Sequence, residues 1–102
     1  MIVTVFRNRL RPDATEAYAE LAPQMVELAK QQPGFISLKT FTATDGERVT
    51  IAEFESDEAV LAWRNNAIHQ NAQERGRTDF YAEYISQTCE VIRESRFPRN
   101  GC

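Results

Sequence analysis

The chain has 102 residues, 42% of them hydrophobic, and 12 basic against 15 acidic side chains give a net charge of -3. Those charges are interspersed, so there is no basic stripe to neutralise phosphates and nucleic acid is excluded as a partner. The start Met1-Ile2-Val3-Thr4-Val5-Phe6 lacks the features of a signal peptide and no run approaches a membrane-spanning helix, so the expectation is one cytoplasmic domain over residues 1–102, with no membrane partner.

Residues 2–10 alternate as a strand, with Ile2, Thr4, Phe6, Asn8 and Leu10 on one face and Val3, Val5, Arg7 and Arg9 on the other. After Arg11-Pro12-Asp13, Tyr18, Leu21, Met25 and Leu28 recur at helical spacing with Ala22 and Ala29, which predicts a helix over residues 14–31. Pro23 removes a hydrogen bond to Ala19 and predicts a kink or a break, and Pro33-Gly34 stops the helix. Strands over residues 35–44 and 48–55 flank Asp45-Gly46, a dipeptide that accepts the positive φ angles of a tight hairpin turn.

Ser56 then supplies an N-cap, with Asp57 and Glu58 where the helix dipole favours negative charge. Ala59, Val60, Trp63, Ala67 and Ala72 continue the spacing, Asn65-Asn66 is a candidate break between two short helices, and Gly76 reads as a left-handed cap after Arg75. Phe80 and Tyr81 lead into a last strand over residues 84–93. Cys89 falls in that strand and reads as a small core residue. Cys102 ends a polar tail expected to fray from about residue 95. The two thiols match neither a metal spacing nor the framework of a secreted domain.

The order β-α-β-β-α-β predicts an α+β, ferredoxin-like fold, an antiparallel four-stranded sheet with helices on one face. The other face carries Val3, Val5, Arg7 and Arg9, a mixture suited to burial against the sheet of a second copy. A domain this size buries only about two thirds of its unfolded surface, which also favours a homodimer.

Several residues together resemble the antibiotic biosynthesis monooxygenase family: Asn8 within Asn8-Arg9-Leu10, the entry Gln32-Pro33-Gly34-Phe35, the helix Ser56-Asp57-Glu58-Ala59 leading to Trp63, and the run Ala67-Ile68-His69-Gln70-Asn71-Ala72. The resemblance runs to about Arg93 and implies a dimeric α+β barrel. It also implies a cofactor-free, metal-free oxygenase that binds a small aromatic phenol or quinol, deprotonates it and lets the anion react with dioxygen. Asn8 matches the family's pocket asparagine, a donor for a phenolate or peroxide oxygen. Trp63 matches its pocket tryptophan, a wall for ring stacking. His69 is the general base by residue type. On a continuous helix at ~100° per residue, His69 points about 240° away from Trp63, and a break at Asn65-Asn66 changes that.

Phe6, Tyr18, Phe41, Phe80 and Tyr84, with Tyr81, could line a ring-binding pocket. Each residue also has a structural reading: Trp63 and the aromatics as core, His69 as a solvent-facing or interface residue, Asn8 as a backbone hydrogen-bonder. The end Gln73-Glu74-Arg75-Gly76-Arg77 reads as a solvated face or dimer rim, with anion binding by Arg75 or Arg77 as the alternative. The family's heme-degrading branch carries an iron-binding histidine nine or ten positions after the tryptophan, where this chain has Ala72 and Gln73. That makes heme binding the weaker reading. A non-catalytic dimeric binding or stress-associated protein that keeps fold and pocket is the competing function.

Overall fold

In the computed structural model, residues 1–98 are described, apart from the side chains of residues 67 and 68. The tail containing Cys102 and the apolar contribution of Ala67 therefore lie outside the described residues. The elements are β1 (Ile2–Leu10), α1 (Thr15–Lys30), β2 (Phe35–Thr42), β3 (Arg48–Phe54), α2 (Asp57–Arg64), α3 (Ala67–Arg75), a π-helical turn (Gly76–Phe80) and β4 (Tyr81–Glu90). The strands lie in the order β2-β3-β1-β4, every neighbouring pair antiparallel, which is the α+β, ferredoxin-like arrangement expected from the sequence. No helix among the described residues is long and apolar enough to cross a membrane.

Period-two alternation sorts the side chains. The register pairs Thr4 with Ala52 and Thr88, Phe6 with Thr50 and Ser86, and Asn8 with Arg48 and Tyr84, so these share the helix-covered face. Ala52, Phe54, Ala59 and Val60 form the core there, with Ile2, Phe35, Leu38 and Trp63 packed against it. Burying a side chain such as Phe54 or Val60 contributes about 1.5–3 kcal/mol.

The opposite face presents Val3, Val5, Val49, Ile51, Phe41 and Ile85, and the last three are exposed in the protomer. Ion pairs edge it: Arg7 with Glu47 at 3.0 Å, Arg9 with Asp45 at 2.9 Å and Arg9 with Glu83 at 3.0 Å. Cys89 pairs with Val3 in the register and is exposed on this face, so the expected core role is corrected.

Other local expectations change in instructive ways. Pro23 does not divide α1, which runs unbroken from Thr15 to Lys30. The one lost donor is outweighed by packing along the stripe that buries Ala29 completely. Residues 43–47 form a five-residue loop in place of a two-residue turn, and only Gly46 takes a positive φ, at 91°. The Asp45 carboxylate accepts from the Glu47 backbone N–H at 3.0 Å, so Asp45 serves as a turn side chain. Gly76 has no positive φ and opens the π-helical turn. It is needed because a Cβ there would lie 2.5 Å from Cε2 of Tyr81. Ser56 caps α2 as expected, accepting from the Ala59 N–H at 3.2 Å.

Candidate active site

Helices α1, α2 and α3 stand off the sheet enough to leave a cavity of about 300 Å³. Its helical wall includes Leu21, Met25, Val26, Val60, Trp63 and His69, and its sheet wall includes Thr4, Phe6, Leu38, Thr50, Ser86 and Thr88. That volume lies at the small end of ligand pockets, large enough for a compound of one or two rings.

The break at Asn65-Asn66 brings Trp63 and His69 together. The helix is interrupted between α2 and α3, and Asn66 restarts it by accepting, through Oδ1, the His69 backbone N–H at 3.2 Å. The imidazole consequently folds back over the indole, with ring centroids 3.8 Å apart and planes 14° from parallel. His69 Nδ1 lies 3.0 Å from the Trp63 carbonyl oxygen. A carbonyl only accepts, so Nδ1 carries the proton and, in the neutral ring, Nε2 keeps the basic lone pair. Burial holds the His69 pKa below its ordinary value of 6.5; the bond to the Trp63 carbonyl opposes that shift, and the nearby Arg64 charge adds to it. The ring is therefore neutral at neutral pH.

An aromatic cluster forms part of the lining. Phe6 meets Tyr81 edge-on at 5.3 Å and Tyr84 at 5.5 Å, while Tyr18 meets Phe80 at 5.9 Å and Tyr81 at 6.0 Å. Burial first, and then Tyr18, pushes the Tyr81 hydroxyl above its ordinary value of 10.0, which keeps it a neutral donor. Tyr81 and Tyr84 reach the same face although they are three apart, because the register slips between Arg9 and Leu10 and leaves Ala82 unpaired.

Of the residues singled out in the sequence, Trp63, His69, Phe6, Tyr18, Phe80 and Tyr84 line the cavity. Phe41 does not. Leu38 and Thr40 alternate towards the helices, so Phe41 stands on the opposite face, 49% exposed. Asn8 lies on the cavity side of β1 but outside the lining; it is 2% exposed, and neither amide atom has a hydrogen-bond partner. Ala72 and Gln73 line the cavity where an iron-binding histidine was considered, and neither side chain is a heme ligand. Sequence reasoning passed over Arg48 and Arg64, both in the lining. The first strand position of Arg48, in phase with Thr50 and Ala52, was the available signal. Of the two anion-binding alternatives, Arg77 lines the cavity.

Residues 1–75 match the family model of antibiotic biosynthesis monooxygenases. The chain belongs to that family. Protein YqjZ of Bacillus subtilis (strain 168) is 32% identical over 96 residues, which cover 94% of this chain and 84% of that one. Two solved structures share the fold of this antibiotic biosynthesis monooxygenase family member. Rv0793 from Mycobacterium tuberculosis superposes with a TM-score of 0.82 at 20% identity, covering 93% of this chain and 98% of its own. SnoaB, a cofactor-independent oxygenase from Streptomyces nogalater solved as an asparagine-to-alanine variant, gives 0.80 at 14% identity, covering 96% and 97%.

Proposed function

We propose that the chain is a cofactor-independent monooxygenase that oxidises a small aromatic phenol or quinol with dioxygen. The observation that carries this reading is the neutral His69, stacked on Trp63 with Nδ1 tied down, in the wall of a cavity sized for one or two rings. Family membership and the cofactor-independent oxygenase among the structural neighbours support it.

Trp63, with His69 stacked on one indole face, gives the substrate ring an apolar wall, and Nε2 of His69 takes the phenolic proton. The electron-rich anion then bonds through a ring carbon to dioxygen. Loss of the ring hydrogen at that carbon and scission of the O–O bond leave a quinone oxygen on the ring and one water. A phenol and one dioxygen thus become a quinone and water, with all four electrons drawn from the substrate. Asn8 keeps the role that the resemblance implies: its buried, unpartnered amide lies behind the lining on the cavity side of β1 and, once turned inward, donates to the oxyanion.

Oxygen uptake by metal-stripped protein against a panel of anthrone-like phenols and hydroquinones tests this reading, with Asn8→Val alongside. Wild type is expected to consume oxygen above the spontaneous rate. The variant is expected to be slower yet more stable by about 1 kcal/mol, because it deletes an unmet amide from a strand. Background-level uptake across the panel favours the non-catalytic binding protein instead, and a destabilised Asn8→Val shows that the amide is structurally satisfied.

We also propose that two copies pair through the open sheet faces. Val3, Val5, Val49, Ile51, Phe41 and Ile85 gather there without cover from the protomer's own helices. Light scattering is expected to give twice the chain mass, and Ile51→Glu to reduce it to one; a monomeric wild type refutes the pairing.

A further inference from the structure

We propose that the substrate carries a carboxylate on its ring system and that Arg48 anchors it at the sheet wall of the cavity. The inference rests on the reading of this cavity as the substrate site and adds the class of molecule it selects.

The cavity lining includes Arg48, Arg64 and Arg77 and, among the described residues, no aspartate or glutamate. This runs against the composition of a chain with net charge -3. Arg77 already has a counter-ion, Glu74 at 2.8 Å. Arg48 and Arg64 have no carboxylate partner among the described residues, and of the two only Arg48 is partly buried. Its guanidinium carbon lies 4.5 Å from the centroid of the Tyr18 ring. A cation held over a ring face in this way is attracted by the ring's charge distribution, which takes up none of its N–H groups in a conventional hydrogen bond. An arginine held this way is ready for two parallel hydrogen bonds to a carboxylate, at little cost in side-chain freedom.

The strand register leaves Arg48 without a counter-ion as well. Asn8 is directly opposite Arg48 in the β1–β3 register, and its buried amide has no partner. The cross-strand partners of Arg48 are thus a neutral amide and, on β2, the hydroxyl of Thr42, and neither is a counter-ion. An anionic oxygen in the cavity supplies the counter-ion that Arg48 lacks. With Arg48 on the sheet wall and Trp63 and His69 on the helical wall, a ring anchored through its carboxylate is held in place while its hydroxyl is presented to the base.

Calorimetric titration with a naphthol and with the matching hydroxynaphthoate tests the anchor without requiring turnover. Wild type is expected to bind the hydroxynaphthoate at least about tenfold more tightly, the scale of a charge-assisted hydrogen bond. In Arg48→Gln that preference is expected to shrink to within about twofold while naphthol affinity holds. Arg48→Lys, which keeps the charge without the fork, should retain part of it and covers the case in which Arg48→Gln fails to fold. Arg96→Gln, which removes the same charge from an exposed position, should leave it unchanged. Equal binding of the two rings by wild type, binding of neither, or a preference that survives in Arg48→Gln overturns the proposal. A preference that depends on Arg48 in a protein without oxygen uptake keeps the anchor and removes the oxygenase reading. Uptake from neutral and acidic rings alike, unaltered in Arg48→Gln, does the reverse.

Discussion

Gly34→Ala is expected to destabilise the protomer by about 2–4 kcal/mol, among the largest effects of any single-methyl addition to this chain. Gly34 has φ +83°, a left-handed conformation that costs a residue with a Cβ about 1–2 kcal/mol. A Cβ there would also lie 2.7 Å from the Cβ of Ala59. That neighbour is attached directly to the α2 backbone and is itself buried in the core, so it has no rotamer in which to give way. The Gly34 carbonyl meanwhile accepts the Glu55 N–H at 2.8 Å, which holds the segment before β2 against the end of β3. Relief of the clash therefore strains that bond or lifts α2 from the sheet. Thermal melts should drop by roughly 10–25 °C, given the steep dependence of melting temperature on stability in domains of this size. Gly46→Ala is the matched control: its φ is +91° and nothing lies within 4 Å of the added Cβ, so it pays the backbone cost alone. Equal shifts in the two variants would show that packing against Ala59 contributes nothing.

The sheet was legible because its signals are local. Alternation in β1 put Phe6 and Asn8 on the covered face, and Ser56 marked the start of α2 by capping chemistry alone. Parity followed equally far along β2 and β4 would have sent Phe41 and Cys89 to the open face, since Leu38 and Tyr84 fix the phase of those strands. Their residue types pointed the other way: an aromatic and a thiol read as interior until the phase of the strand is imposed. The bulge at Ala82 was beyond that method. A strand begun at Tyr84 leaves Tyr81 in a loop, and only pairing with Leu10 shows that an extra residue turns both tyrosines towards the helices.

The candidate site was legible as a list and not as a geometry. The six-residue spacing of Trp63 and His69 separates them on a continuous helix, and the stack exists because α2 ends at Arg64 with Asn65 as its C-cap and Asn66 caps the next helix. An asparagine three residues before His69 is an N-cap pattern that the sequence did contain. Arg48 was invisible for another reason. Its importance is the absence of a carboxylate partner among the described residues, which depends on how distant strands and α1 come together.

His69→Phe is expected to reduce oxygen turnover by about 10²–10⁴-fold while the protein remains folded, the range of a general base removed from a reacting proton. Phenylalanine keeps a flat ring of similar breadth against Trp63, so the stack survives and the loss is confined to Nε2 and one hydrogen bond to the Trp63 carbonyl, worth about 1 kcal/mol. The pH dependence gives the sharper reading. Burial, the first cause of the shift, holds the His69 pKa below 6.5 in the folded protein, so the base is in its working form throughout the neutral range. Turnover by wild type should be flat above about pH 7 and fall on the acid side with a midpoint below 6.5, and His69→Phe should lack that limb in whatever rate remains. Stability follows the same group. As pH falls past 6.5 the unfolded chain takes up the proton first, so the folded state loses stability down to its own lower pKa and levels off beneath it. The stability of wild type relative to His69→Phe should therefore be constant above about pH 7 and decline below 6.5. An acid limb centred above 6.5, or one retained in His69→Phe, would assign the proton transfer to another group.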